Sequence, residues 1–224
     1  MERYLETALF DLDGTLVDTE GQYTQFWSEI GEELIPEGRA FALRVKGRTL
    51  KSIFEDFIPS PETRAEVQRQ LNIFESKMDF PLIPGALEFL SDLRRNGVRL
   101  AVVTSSNHKK MHQVEMRMPH LLSLFDRILT AEDFHASKPA PDCYLMGAEV
   151  FGTPLDHCMV FEDAPNGLQA GMSSGIFTVG LATGLAPEAI KPLCHHVETD
   201  YLNLDFERAN KLLADFHGFR TFMP

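Results

Sequence analysis

Apolar runs of strand length recur along the chain, each bounded by turn residues or charge: Thr7 to Phe10, Val98 to Val103, Arg127 to Leu129, His157 to Phe161 and Ile176 to Leu181. Helical patterns fall between the later runs. Ala86, Leu87, Leu90 and Leu93 repeat at helical spacing after Pro84-Gly85, and Asn96-Gly97 supplies a stop before the next strand. Strands buried on both faces and separated by helices predict a parallel sheet covered by helices, a doubly wound, Rossmann-like α/β core.

Between the first strand and Pro84 the period changes, and helical spacing persists with no convincing strand. Tyr23, Phe26, Trp27, Ile30 and Leu34 form one stripe. Leu50, Ile53, Phe54, Phe57 and Ile58 form a second, and Val67, Leu71, Phe74 and Met78 a third. This insert reads as a small helical-bundle cap domain over residues 17–83, with the α/β core made of 1–16 and 84–224. Helices that simply cover the sheet would carry the same periodicity. No internal repeat, low-complexity tract or long linker interrupts the pattern.

The 224 residues leave room for a core and a small companion domain. A hydrophobic fraction of 44% with 24% charged residues belongs to the soluble globular class. The net charge of −12 repels polyanions, which argues against nucleic acid and anionic membrane as partners and leaves small anions possible. No protein partner is implied. Cys143, Cys158 and Cys194 suggest neither a disulfide framework nor a zinc site, and neither a signal peptide nor a bilayer-spanning run is evident, so the expected location is the cytoplasm.

Asp11-Leu12-Asp13-Gly14-Thr15 follows directly on the first strand, which places two carboxylates where open α/β sheets bind ligands. A calcium loop starting at Asp11 fails on spacing, because Leu16 and Gln22 stand where Gly and Glu are needed. Close carboxylates repel unless a cation or a shared proton intervenes. With a cation to neutralise it, Asp11 can serve as a covalent nucleophile toward phosphorus. Asp13 can then protonate the leaving oxygen and later deprotonate the hydrolytic water.

The second strand ends at Thr104-Ser105-Ser106-Asn107, a hydroxyl-rich turn suited to phosphate oxygens, although such residues are also ordinary turn and helix-cap formers. Lys138 lies among prolines in Ser137-Lys138-Pro139-Ala140-Pro141-Asp142, a rigid frame for a fixed ammonium. A further strand ends at Glu162-Asp163, and oxygen ligands from two strand ends suit Mg²⁺.

In this order, with three at strand ends and the lysine between the second and the last of them, the four motifs resemble those of the haloacid dehalogenase superfamily, in its phosphatase and phosphomutase branch with a helical cap after the first motif. The resemblance runs from the first strand to about Leu181. It implies a Mg²⁺-dependent phosphatase of a small phosphorylated metabolite, of the sugar or polyol phosphate class, working through an aspartyl phosphate. Asp11 then matches the nucleophile and a metal ligand, and Asp13 the acid/base whose backbone carbonyl also binds metal. Thr104 and Lys138 match the residues that hold the phosphoryl group, with Ser105 beside them; Asp163 matches the remaining metal carboxylate, and Glu162 joins the metal site directly or through water. Val45-Lys46-Gly47-Arg48-Thr49 resembles the cap loop that enters the active site, which makes Lys46, Gly47 and Arg48 candidates for substrate recognition.

True dehalogenases of the superfamily lack the second aspartate, so Asp13 argues against carbon–halogen chemistry. β-Phosphoglucomutases carry a cap histidine where this chain has Tyr23 and an arginine where it has Leu50, and only Lys46 matches. A mutase must keep water from a bisphosphorylated intermediate through dedicated cap contacts, so hydrolysis is the expectation and a phosphomutase the alternative. A phospholigand-binding protein without turnover would be free to lose Asp11, Asp13 or Lys138, and all three are present.

Overall fold

A computed structural model describes residues 4–46 and 48–221, with side chains described through residue 218. The strands are β1 (Thr7–Phe10), β2 (Arg99–Val103), β3 (Arg127–Leu129), β4 (Cys158–Glu162), β5 (Phe177–Leu181) and β6 (His196–Glu198). They form one sheet in the order β3-β2-β1-β4-β5-β6, with every neighbouring pair parallel. β1 is therefore central, and the order reverses direction beside it, where a crevice opens at the carboxyl ends of the strands.

Successive side chains alternate between the two faces of the sheet. Ala8 and Phe10, Leu100 and Val102, and Met159 and Phe161 join one buried cluster, while Leu9, Ala101, Val103 and Val160 join another. The first face is covered by α5 (Ala86–Arg95), α6 (His108–Arg117) and α11 (Phe206–Thr221), through Phe89, Leu93, Val114 and Leu213. The second is covered by α8 (Asp142–Glu149) and α9 (Pro165–Ser174), through Tyr144, Ala148 and Ala170. Two short helices, α7 (Pro119–Leu122) and α10 (Pro187–Ile190), lie in connections.

The insert is helical as its period required: α1 (Glu20–Leu34), α2 (Phe41–Val45), α3 (Leu50–Phe57) and α4 (Pro61–Lys77). Its stripes meet in a core of their own, where Phe26, Trp27, Ile30, Phe41, Ile53, Val67 and Leu71 are buried together. A sheet-covering role would have sent these side chains into the strand clusters. Tyr23 and Phe74 pack against both the insert's core and the sheet's, and Met78, the last of the third stripe, is buried in the sheet's cluster instead.

Strand boundaries differ from the sequence expectation by a residue at places with a local cause. The Val98 amide is tied to the Leu93 carbonyl at the end of α5, His157 closes a short 3-10 turn, and Ile176 follows the left-handed cap residue Gly175. β6 coincides with none of the apolar runs. No helix among the described residues is long and apolar enough to cross a membrane.

Candidate active site

Each central strand delivers a functional group where it ends. β1 runs into Asp11, whose amide donates to the Phe161 carbonyl at 3.0 Å, so the nucleophile candidate is fastened to β4. β4 ends in Glu162 and Asp163 follows, both buried. Thr104, also buried, follows β2; its amide donates to the Leu129 carbonyl at 2.9 Å and its hydroxyl accepts from the Ser106 amide at 3.0 Å. Ser105 follows in the same turn.

Lys138 joins these ends. Its ammonium, 1% exposed, donates to Asp11 Oδ1 at 2.6 Å, to Glu162 Oε1 at 2.7 Å and to the Val103 carbonyl at 3.1 Å. Burial works against that charge, but Asp11 and Glu162 outweigh it and hold the Lys138 pKa above the ordinary lysine value.

Glu162 is fully engaged. Oε1 also accepts from the Tyr144 hydroxyl at 3.0 Å, and Oε2 accepts from the amides of Asp163 and Ala164 at 2.9 and 3.0 Å. Gly167 is required beneath it, since a Cβ there would stand 1.7 Å from Glu162 Oε1.

Asp163 is different. Oδ1 accepts from the Thr15 hydroxyl at 3.2 Å, whereas Oδ2 is buried with no hydrogen-bond partner. Burial first, then Glu20 and Glu162, push its pKa well above the carboxylate range, against the pull of Lys46. Burial likewise lifts Asp11 to about 8, against Lys138. Asp11, Glu162 and Asp163 each offer an oxygen within 4.8 Å of the others. A buried acidic group with an oxygen that no hydrogen bond satisfies fits a divalent cation, whose charge removes the repulsion. Gly14, at φ 79°, leaves the space: a Cβ there would lie 2.4 Å from Asp163 Oδ2.

Asp13 turns its carboxylate elsewhere. Oδ1 accepts from the Thr19 hydroxyl at 2.5 Å, and Oδ2 accepts from the Ser106 hydroxyl at 3.0 Å and from the Lys110 ammonium. Lys110 sits on α6, capped by the Asn107 side chain, and is itself 1% exposed.

The insert closes over these groups, leaving a cleft of about 940 Å³ lined by Asp11, Asp13, Thr104 and Lys138 from the core and by Trp27 and Leu50 from above. The Lys46 carbonyl accepts from Asn166 Nδ2 at 2.9 Å, and the Thr49 and Ser137 hydroxyls meet at 2.6 Å. The Lys46 ammonium reaches Glu20 at 2.8 Å and Asp163 Oδ2 at 3.5 Å. Arg48 turns away to Asp56 and Ser52, with its guanidinium 5.0 Å from the Phe57 ring centroid. Gly47 lies outside the described residues.

The structure thus brings Asp11, Lys138, Glu162 and Asp163 together, seats Asp13, Thr104 and Ser105 on the adjoining turns, and carries Lys46 to the acidic group. Sequence reasoning missed Lys110, Tyr144 and Glu20 as members of the site. A lysine in the first turn of a helix and a tyrosine in an apolar helix carry no local signal of such contacts.

The haloacid dehalogenase-like hydrolase family profile matches residues 8–181. Hexitol phosphatase A of Escherichia coli is 32% identical over 181 residues, covering 77% of this chain and 81% of that protein. Validoxylamine A 7'-phosphate phosphatase of Streptomyces hygroscopicus subsp. limoneus is 30% identical over 191 residues, covering 83% and 89%. A solved β-phosphoglucomutase from Clostridium difficile shares the fold, with a TM-score of 0.78 at 20% identity over 96% of this chain and 99% of that one. With three of the motifs at strand ends, Lys138 joined to two of them, and the family match running from the first strand to the fifth, the chain belongs to the haloacid dehalogenase-like hydrolases.

Proposed function

We propose that this enzyme is a Mg²⁺-dependent phosphatase of a small phosphorylated metabolite, of the sugar or polyol phosphate class, acting through an aspartyl phosphate on Asp11. The main support is one relationship: Lys138 pins Asp11 at the mouth of β1, beside the Asp163 oxygen that no hydrogen bond satisfies and open to the cleft. Relatives whose names specify hexitol phosphates and validoxylamine A 7'-phosphate favour the substrate class. The net charge of −12 favours a small anion over nucleic acid or membrane, and three free thiols suit a reducing compartment such as the cytoplasm.

Asp11 and Asp163, with the Asp13 backbone carbonyl and with Glu162 through water, would hold Mg²⁺, which offsets the charge of the phosphate and of the carboxylate that attacks it. An Asp11 oxygen bonds to phosphorus as the bond from phosphorus to the leaving oxygen breaks, and Asp13 gives that oxygen its proton. Water then attacks the phosphorus of the aspartyl phosphate, Asp13 takes its proton, and inorganic phosphate leaves with the Asp11 carboxylate restored. Lys138 faces the charge that builds on the phosphoryl oxygens, and Thr104 and Ser105 hold them. Residues 17–83 form the cap, and its Lys46, Gly47 and Arg48 recognise the rest of the substrate.

Hydrolysis is favoured over mutase chemistry because the position of the mutase histidine holds Tyr23, whose hydroxyl is spent on Glu75 Oε1 at 3.0 Å. The test is phosphate release across hexitol phosphates, sugar phosphates, glycerol phosphate and nucleotides. Release from at least one sugar or polyol phosphate, lost in chelator and in Asp11→Asn, is expected. No release from any of them overturns the proposal.

A further inference from the structure

Lys110 is one of the largest fully buried side chains in the protein, yet it does not line the cleft. Its ammonium contacts Asp13 Oδ2 on the core side and lies 4.3 Å from the centroid of the Tyr23 ring on the cap side. Tyr23, on α1, is held in turn by Glu75 on α4, which is 4% exposed and feels the Lys110 charge. A chain of contacts therefore runs from two cap helices through a core helix to Asp13. A buried ammonium persists only where its partners are fixed, so the pair constrains both members. The other two donors to Asp13, Thr19 and Ser106, are hydroxyls; the charged one comes from α6.

We propose that Lys110 is a positioning residue for Asp13: with the Tyr23 ring and Glu75 behind it, it sets where the acid/base carboxyl stands relative to the leaving oxygen. This rests on the phosphatase proposed above and adds a residue to it. Lys110 itself touches no substrate. Its loss misplaces the proton donor and leaves Asp11, Lys138 and Asp163 as they are.

That distinction can be read from the leaving group. An alkyl phosphate expels a strongly basic alkoxide and needs the proton from Asp13, whereas p-nitrophenyl phosphate expels a weakly basic phenolate and needs it little. The ratio kcat/KM covers steps through transfer to Asp11, so slow breakdown of the aspartyl phosphate does not mask the comparison. Wild type, Lys110→Met and Lys110→Arg are compared on p-nitrophenyl phosphate and on the fastest of sorbitol 6-phosphate, glycerol 3-phosphate and ribose 5-phosphate. Tyr23→Leu, which removes the ring behind the ammonium, serves as the second variant should Lys110→Met fail to fold. We expect Lys110→Met, or Tyr23→Leu in its place, to lose about tenfold to a hundredfold in kcat/KM on the alkyl ester and less than about threefold on the aryl ester. Lys110→Arg should restore most of the ratio between the two. Equal losses on both esters, or no loss on either, overturn the role of Lys110. A wild type inactive on every alkyl ester overturns the phosphatase itself, and this inference with it.

Discussion

Lys138 and Asp11 stand 127 positions apart in sequence and 2.6 Å apart in space, an ion pair at the floor of the cleft. Lys138→Met would leave Asp11 and Glu162 buried without their cation. The variant should lose about 3 kcal/mol of stability in denaturant unfolding. It should also lose at least about a hundredfold in kcat on every substrate, because the charge faces the phosphoryl group that all of them share. A variant impaired on some substrates and normal on others would contradict this placement.

Asp163 is expected to weaken the metal-free fold and to be repaid when metal binds. Its environment disfavours the charged carboxylate, through burial first and then Glu20 and Glu162, and Oδ2 has no hydrogen-bond partner. In chelator, Asp163→Asn should raise Tm by about 3 °C. Excess Mg²⁺ should raise the Tm of the wild type and leave that of the variant nearly unchanged. Equal Mg²⁺ shifts in both proteins would remove Asp163 from the metal site.

Much of this was legible in the sequence, for physical reasons. β1 and β3 begin and end where their apolar runs do, because the flanking residues must leave the sheet: Asp11 for the cleft, Thr130 for the turn held by Asp133. The acidic pairs could be placed at strand ends because they directly follow buried runs. β6 was not legible, since His196-Val197-Glu198 is three residues long, two of them polar, on the edge of the sheet. Lys110 was hidden for another reason. A helix lysine ordinarily faces water, and its burial depends on Asp13, 97 positions away. The same holds for Lys46 and Arg48, two positions apart in one loop: only the fold shows that one reaches Asp163 and the other turns to Asp56.

That divergence gives the two cap cations different expected phenotypes. Lys46→Ala removes a contact to the acidic centre and one to Glu20 besides a grip on the substrate, so it should lower kcat/KM on every substrate, by about tenfold or more, and change the Mg²⁺ dependence. Arg48→Ala should leave the Mg²⁺ dependence alone and change the ranking of substrates. Identical profiles for the two variants across a substrate panel would show that the loop acts as one unit.

Hydrolase and mutase part at the fate of the phosphoenzyme. With a hexose 1-phosphate and catalytic hexose bisphosphate, phosphorus NMR should show inorganic phosphate accumulating and little or no hexose 6-phosphate. Rapid isomerisation with negligible free phosphate would reassign the enzyme as a mutase while leaving Asp11, Asp13, Lys138 and Asp163 in the same chemical roles.

The central claim is covalent, and mass spectrometry addresses it most directly. Asp13→Asn can still form the aspartyl phosphate from an aryl phosphate, whose leaving group needs little protonation, but lacks the base that activates water. Incubated with p-nitrophenyl phosphate and Mg²⁺ and quenched in acid, this variant should carry the mass of one phosphoryl group on the peptide containing Asp11, and the Asp11→Asn, Asp13→Asn double variant should carry none. A modification on any other residue, or turnover by Asp13→Asn at the wild-type rate with no trapped phosphoryl group, would contradict Asp11 as the nucleophile and Asp13 as its acid/base.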